Sequence, residues 1–252
     1  MFRWLSYLGM LLAFMITAIV GAIAKDRRVA LVIGNSAYKH LRELPNPKHD
    51  AADMATALRT MGFEVTAAFD LDKRSLDREL GEFAQALPDS DVGLFFFAGH
   101  GLQASGRNYL LPVDVQLNSV AALEAGTTSL EAVYRAMAAT KARIIFLDAS
   151  RDNPLEPTGA APSQQGLVPM PGAAAVIGFS TQPGRAAWEG AGRNSPYTAS
   201  LIRRMQAPGE ELSSILAGVR RDVVAATNGK QIPWEHSSLP QHFTIVPAAS
   251  QK

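Results

Sequence analysis

The run Ala142-Arg143-Ile144-Ile145-Phe146-Leu147 passes without a break into Asp148-Ala149-Ser150-Arg151-Asp152-Asn153-Pro154. A near-continuous apolar segment of strand length, closed by charge, hydroxyl and proline, suits a strand covered on both faces by helices. Sheets of that kind bind ligands beyond the carboxyl ends of their strands. A second stretch has the same build: Asp91-Val92-Gly93-Leu94-Phe95-Phe96-Phe97-Ala98 runs into Gly99-His100-Gly101. Two such strands lying side by side would present the Ser150 hydroxyl and the His100 imidazole at one sheet edge.

The rest of the chain alternates strands with helices. Arg28 to Ile33 reads as a short strand followed by a turn, and Leu44-Pro45-Asn46-Pro47 reads as loop because it holds two prolines. Asp50 to Gly62 has an acidic start, apolar spacing at Met54, Leu58 and Met61, and a glycine stop, the pattern of a helix. Phe63 to Thr66 opens a strand, Ser75 to Leu87 is an amphipathic helix, and Ser129 to Ala139 is a helix with Ser129 as N-cap. Pro154 to Pro171, rich in Pro, Gly, Ala, Ser and Gln, is read as a flexible surface loop. A strand over Ala173 to Ser180, helices over Pro196 to Met205 and Leu212 to Thr227, and strands at Gln231 to Trp234 and Phe243 to Val246 complete the chain. The expected class is α/β, a mostly parallel sheet of about six strands with helices on both faces.

Composition excludes several functions. Of 252 residues 47% are hydrophobic and 19% charged, enough apolar material for a sizeable core. Cysteine is absent, which rules out disulfides and thiolate metal sites. The formal charge is +1 with no basic tract, so nothing favours nucleic acid as a partner. No phosphate-binding glycine loop, dinucleotide fingerprint, Gly-x-Ser-x-Gly elbow or His-Glu-x-x-His pair occurs. At the start, Arg3, the apolar run Leu5 to Val20 and the small residues before Lys25 make a secretory signal with expected cleavage after Ala24. An uncleaved anchor is the alternative, since the run approaches a bilayer span. The expectation is an exported domain over residues 25–252, periplasmic or secreted, with no membrane contact once the leader is gone.

The pairing of Phe96-Phe97-Ala98-Gly99-His100-Gly101 with Phe146-Leu147-Asp148-Ala149-Ser150-Arg151 resembles the caspase and metacaspase group of peptidases. That group has His-Gly after one strand and Asp/Gln-Ala-Cys-Arg/His after the next. Asp50-Ala51-Ala52, Gly62-Phe63, Asn108-Tyr109-Leu110, Ser180-Thr181-Gln182-Pro183-Gly184 and Asn194-Ser195 fall in order where the group has counterparts. The resemblance implies a three-layer fold with a large-subunit-like part over 25–154, the loop 155–171 and a small-subunit-like part over 172–252. It implies a catalytic dyad of His100 and the residue at 150, with an oxyanion hole from the Gly101 and Ser150 backbone N–H groups. The departure lies at the centre, because Ser150 stands where the group has its nucleophilic cysteine. A thiol ionises near pH 8.5 and lower beside an imidazole, whereas a serine needs a histidine that is itself held by a carboxylate. No orienting acid for His100 is evident, so the expectation is a weak or inactive peptidase. The serine is either natural or introduced; the retained leader and lack of a tag favour the former.

The resemblance also speaks to the substrate. Animal caspases clasp an aspartate at P1 with two arginines and a glutamine, and here alignment puts Leu44, Glu189 and Asp148 at those places. Two carboxylates would prefer Arg or Lys at P1, with Asp50 and Ser180 completing the pocket. The plainer readings are a helix or loop cap near Arg151 for Asp148, a solvated loop charge for Glu189 and a core residue with satisfied hydrogen bonds for His100. His40, His49, His236 and His242 lack a comparable setting and read as surface or loop residues. No cofactor is expected. Calcium, common among metacaspases, is left open: Asp114 and Asp152 are available, but no oxygen-rich loop of suitable spacing occurs. The Pro154 to Pro171 loop lies where relatives are cut during maturation yet contains no Arg or Lys, which argues against self-processing there. The expected partner is a peptide or protein with a basic P1 residue. An active Ser150 and His100 endopeptidase and a non-catalytic periplasmic scaffold stand as the alternatives.

Overall fold

The computed structural model describes residues 26–104, 106–150, 175–182, 187–239 and 242–248, with backbone only at Val120 and Ser150. Strands β1 (Arg28–Gly34), β2 (Glu64–Phe69), β3 (Val92–Ala104), β4 (Arg107–Leu110), β5 (Thr128–Ser129), β6 (Ala142–Ser150), β7 (Ala175–Phe179) and β8 (Trp234–Ser237) make one sheet. Its through-going order is β2-β1-β3-β6-β7-β8, while β4 and β5 hang from the far end of β3. Pairing is parallel from β2 to β7 and antiparallel at β8. Of the central strands, β3 carries His100 where its parallel pairing ends and β6 carries Ser150 as its last residue.

Alternation along each central strand divides its side chains between two cores. Phe96 and Phe146 face helices α1 (Pro47–Thr60), α5 (Pro196–Met205) and α6 (Leu212–Ala226), through Met54, Leu58, Leu201 and Val219. Phe95, Phe97 and Ile145 face α2 (Lys73–Ala86) and α4 (Leu130–Ala136), through Leu76, Phe83 and Val133. A further short helix, α3 (Val120–Gly126), lies before β5. Each of these phenylalanines is no more than 1% exposed. Truncating one to alanine would cost roughly 3–5 kcal/mol.

The helix starts show why the chain turns where it does. Asp72 accepts from the Ser75 amide at 2.8 Å and starts α2 two residues before the Ser75 expected from the pattern. Ser129 accepts from the Ala132 amide, as its N-cap role required, but α4 ends at Ala136 rather than Ala139. Pro47, expected in a loop, is instead the first residue of α1: its fixed φ suits N1, where an amide hydrogen has no helical partner. The close packing of that first turn explains Gly34, where an added Cβ would sit 2.3 Å from the Pro47 carbonyl oxygen.

Two strand expectations change. β3 does not stop at His100 but continues to Ala104, pairing antiparallel with β4 once its parallel neighbours have ended. Phe243 to Val246 forms only an isolated bridge between Thr244 and Glu211, and the last strand begins at Trp234 rather than Gln231. Helix α3 and the β4–β5 extension have too short a pattern to be read from the sequence. The leader, the loop from Pro154 to Pro171, and Asp152 lie outside the described residues.

Candidate active site

His100 and Ser150 are cross-strand partners in the β3–β6 register. The His100 Nε2 lies 2.8 Å from the Arg42 carbonyl oxygen. A carbonyl can only accept, so this contact puts the proton on Nε2 and makes Nδ1 the proton-accepting nitrogen of the neutral ring. A backbone oxygen of the segment after β1 thus does the orienting that a carboxylate does in a serine triad, without contributing a full negative charge. Tyr38 packs edge-on against the imidazole, with ring centroids 4.5 Å apart.

Gly101 follows as the first residue of the antiparallel part of β3, opposite Leu110. His100 O accepts from the Leu111 amide at 3.0 Å. Antiparallel ladders alternate hydrogen-bonded and non-hydrogen-bonded pairs, so Gly101 and Leu110 form a non-bonded pair. The Gly101 N–H therefore points away from β4, toward the side on which β6 ends. That is the direction an oxyanion donor needs.

The carboxylates assemble around the start of α5. Asp148, on β6 two residues before Ser150, is 7% exposed and accepts hydroxyl hydrogen bonds from Ser195 and, at 2.7 Å, from Thr198. Asp50, in the first turn of α1, is 2% exposed and accepts from the Ser195 amide at 3.0 Å. Glu189 is half-buried, and its carbonyl oxygen accepts from Asn46 Nδ2 at 2.5 Å. The buried Ser180 hydroxyl adds its dipole to Asp148 but completes no hydrogen bond of good geometry with a described residue.

Burial is the largest influence on all three acids and pushes each upward. For Asp50 the charge of Asp148 adds to it, against relief from the Ser195 amide and Asn194. For Asp148 the hydroxyls of Ser195, Thr198 and Ser180 oppose it. Glu189 is raised to about 7, by burial and then by the charge of Asp148, with Arg42 pulling the other way. Among the described residues, no lysine or arginine forms an ion pair with any of them. Arg193 stands nearby but is bidentate on Asp53, at 2.9 and 3.0 Å.

The expected site residues Asp50, Asp148, Ser180 and Glu189 are thus neighbours, and His100 and Gly101 sit on the adjoining strand beside the Ser150 backbone. Asp148 accepts two hydroxyls at the start of α5, where Ser195 itself is the N-cap; Arg151 lies outside the described residues. Sequence reading missed Ser195, Thr198, Asn46, Tyr38 and the Arg42 carbonyl. Of these, Ser195 carried a signal, as part of the Asn194-Ser195 segment shared with the resembled group and as an N-cap followed by proline at N1. His40 and His49 are exposed and His242 pairs with Glu211 at 2.7 Å, whereas His236 lies half-buried on β8 rather than in a loop. Asp114 accepts from the Lys73 amide.

Comparison with known proteins identifies the family and the fold. The family model described as Caspase domain matches residues 27–244. The chain belongs to the caspase domain family. Caspase-1 of Rattus norvegicus is 27% identical over 240 residues, 87% of this chain and 60% of its own length. Mucosa-associated lymphoid tissue lymphoma translocation protein 1 of Homo sapiens is 35% identical over 92 residues, 36% of this chain and 11% of its own length. The chain therefore matches less than two thirds of either relative. The crystal structure of caspase-1 from Spodoptera frugiperda superposes with a TM-score of 0.67 at 19% identity, covering 90% of this chain and 93% of that one. In this caspase-family chain, His100 and Gly101 on β3 and Asp148 on β6 lie where the parallel part of the sheet ends.

Proposed function

We propose that this caspase-family domain binds peptides or proteins through an arginine or lysine side chain held by Asp50, Asp148 and Glu189, and that Ser150 leaves it a weak or inactive peptidase. The observation that carries the reading is the convergence of three buried or half-buried carboxylates with no cation paired to them among the described residues. Like charges gathered out of water raise one another's energy. A guanidinium, with five donors in a planar fork, relieves that repulsion and forms charge-assisted hydrogen bonds, while an aspartate would add to it. Catalytic weakness follows from chemistry at position 150: a carbonyl-anchored imidazole supports deprotonation of a thiol far better than of a serine hydroxyl. Residues 1–24, read as a cleaved secretory leader, favour an exported domain.

Calorimetry with peptides that differ only in Arg or Asp at one position tests the pocket. Binding of the Arg peptide with loss of the Asp peptide is expected, and equal affinities would overturn the reading. A second reading, active hydrolysis by Ser150 with His100 as base, draws on their shared register and on the direction of the Gly101 N–H. A fluorophosphonate probe separates the two. Labelling at Ser150 that vanishes in His100→Ala favours the active enzyme and overturns the impaired one.

A further inference from the structure

We propose that Tyr38 is the positioning residue for His100, its hydroxyl replacing a rung of the sheet at the point where β3 leaves its parallel neighbours. The His100 carbonyl accepts from the Leu111 amide at 3.0 Å, as in an ordinary antiparallel hydrogen-bonded pair. The reciprocal bond, from the His100 amide to the Leu111 carbonyl, is replaced. Instead the His100 N–H donates to Tyr38 Oη at 2.8 Å, and Tyr38 Oη–H donates to Leu111 O at 3.1 Å. One hydroxyl therefore bridges His100 and Leu111 on the side of the pair where the direct bond is missing.

The consequence reaches the imidazole by two routes. Bridging fixes the backbone from which the His100 side chain departs, and the Tyr38 ring limits the imidazole edge-on at 65°. Four residues along the same segment, Arg42 supplies the carbonyl that takes the Nε2 proton. Tyr38 thus anchors both the histidine and the loop that orients it. It is itself anchored: the preceding turn is held by Asp70 Oδ1, which accepts from the Ser36 and Ala37 amides at 2.8 and 2.9 Å. Burial pushes the Tyr38 phenol far above its ordinary range, so the hydroxyl keeps its one proton for Leu111 and always offers a lone pair to His100. The glycine before the histidine follows from the same arrangement. A Cβ on Gly99 would lie 2.6 Å from Tyr38 Oη, and Gly99 has φ of +154°.

That Tyr38 positions a working base rests on the dyad reading of His100, but its effect on the imidazole can be measured without catalysis. Long-range proton–nitrogen NMR of the labelled native protein should show His100 as a single Nε2-protonated tautomer. Tyr38→Phe keeps the ring and removes the bridge, and should give His100 a mixed tautomer population and a shifted titration. An unchanged tautomer and titration in a folded Tyr38→Phe protein would overturn the proposal. Because that change leaves a buried amide unpaired, trifluorotyrosine placed at position 38 provides a second variant that retains the hydroxyl and weakens it as an acceptor. It should move the His100 amide and imidazole signals, and their indifference would equally overturn the assignment. Failure of basic peptides to bind would count against the pocket and leave these signals untouched.

Discussion

Ser195 donates its hydroxyl hydrogen to Asp148 Oδ2, across 47 positions of sequence, while the same oxygen accepts the Thr198 amide as the N-cap of α5. Its own amide donates to Asp50 Oδ1. One residue therefore starts a helix and holds two carboxylates of the candidate pocket in place. Ser195→Ala should remove the cap and one donor to Asp148 together, costing roughly 1–2 kcal/mol. Thermal unfolding at neutral pH measures this, and a loss no larger than for an exposed serine would contradict the arrangement.

Asp148→Asn keeps an acceptor for Ser195 and Thr198 but removes the buried charge. The fold should persist, with stability at pH 8 equal to or above that of the native chain because repulsion with Asp50 and Glu189 is gone. Affinity for an Arg peptide should fall by at least about tenfold. Retained affinity would move the binding site elsewhere.

The raised acids set the direction of pH dependence. Glu189, raised to about 7, keeps its proton in the folded state over a range where an unfolded carboxylate has lost it. The folded state then binds more protons than the unfolded one from about pH 4 to 7, so this group's contribution to stability falls as pH rises through that window. The melting temperature should drop by a few degrees between pH 5.5 and 8.5, and Glu189→Gln should flatten the slope. A bound guanidinium favours the ionised acids, so Arg-peptide binding should release protons and tighten with pH. Calorimetry in buffers of different ionisation enthalpy reads the proton count directly.

Asp222 provides the opposite limb. The Arg204 fork contacts it at 2.7 and 2.8 Å and Ser200 donates at 2.6 Å, holding its carboxyl well below the usual range. A lowered acid stabilises above its unfolded pKa and loses that contribution as pH falls. With the side chain 24% exposed, Asp222→Asn should cost about 1 kcal/mol at pH 7, less in high salt and nothing at low pH. Denaturant unfolding at two pH values tests it.

Restoring the thiol probes the rest of the machinery. Ser150→Cys should give cleavage after Arg or Lys that disappears on adding His100→Ala. A folded Ser150→Cys protein that binds Arg peptides without cutting them would show that more than the nucleophile has been lost.

The fold was legible because its signals are local. Unbroken apolar runs ending at Ala98 and Leu147, separated by amphipathic helices, specify a buried parallel sheet, and the polar residues just beyond them specify its functional edge. Asp148 stood out because the resemblance to caspases aligned it with a residue that reads the substrate. The His100 environment was not legible, since its partners are a backbone carbonyl at Arg42 and a hydroxyl at Tyr38, about sixty positions away. Backbone atoms are the same in every residue, so no sequence pattern marks which carbonyl will orient an imidazole.

By itself the sequence determined the layered α/β architecture, the edge at which His100 and Ser150 meet, and the absence of a thiol at that edge, because hydrophobic pattern and residue type are written residue by residue. Tertiary structure alone decided how deeply Asp50, Asp148 and Glu189, which the family resemblance had placed in one pocket, are desolvated together, and that Tyr38 replaces a sheet rung beside His100. Both depend on distances between segments remote along the chain. Electrostatic coupling and hydrogen-bond geometry are properties of those distances, and they exist only once the chain has folded.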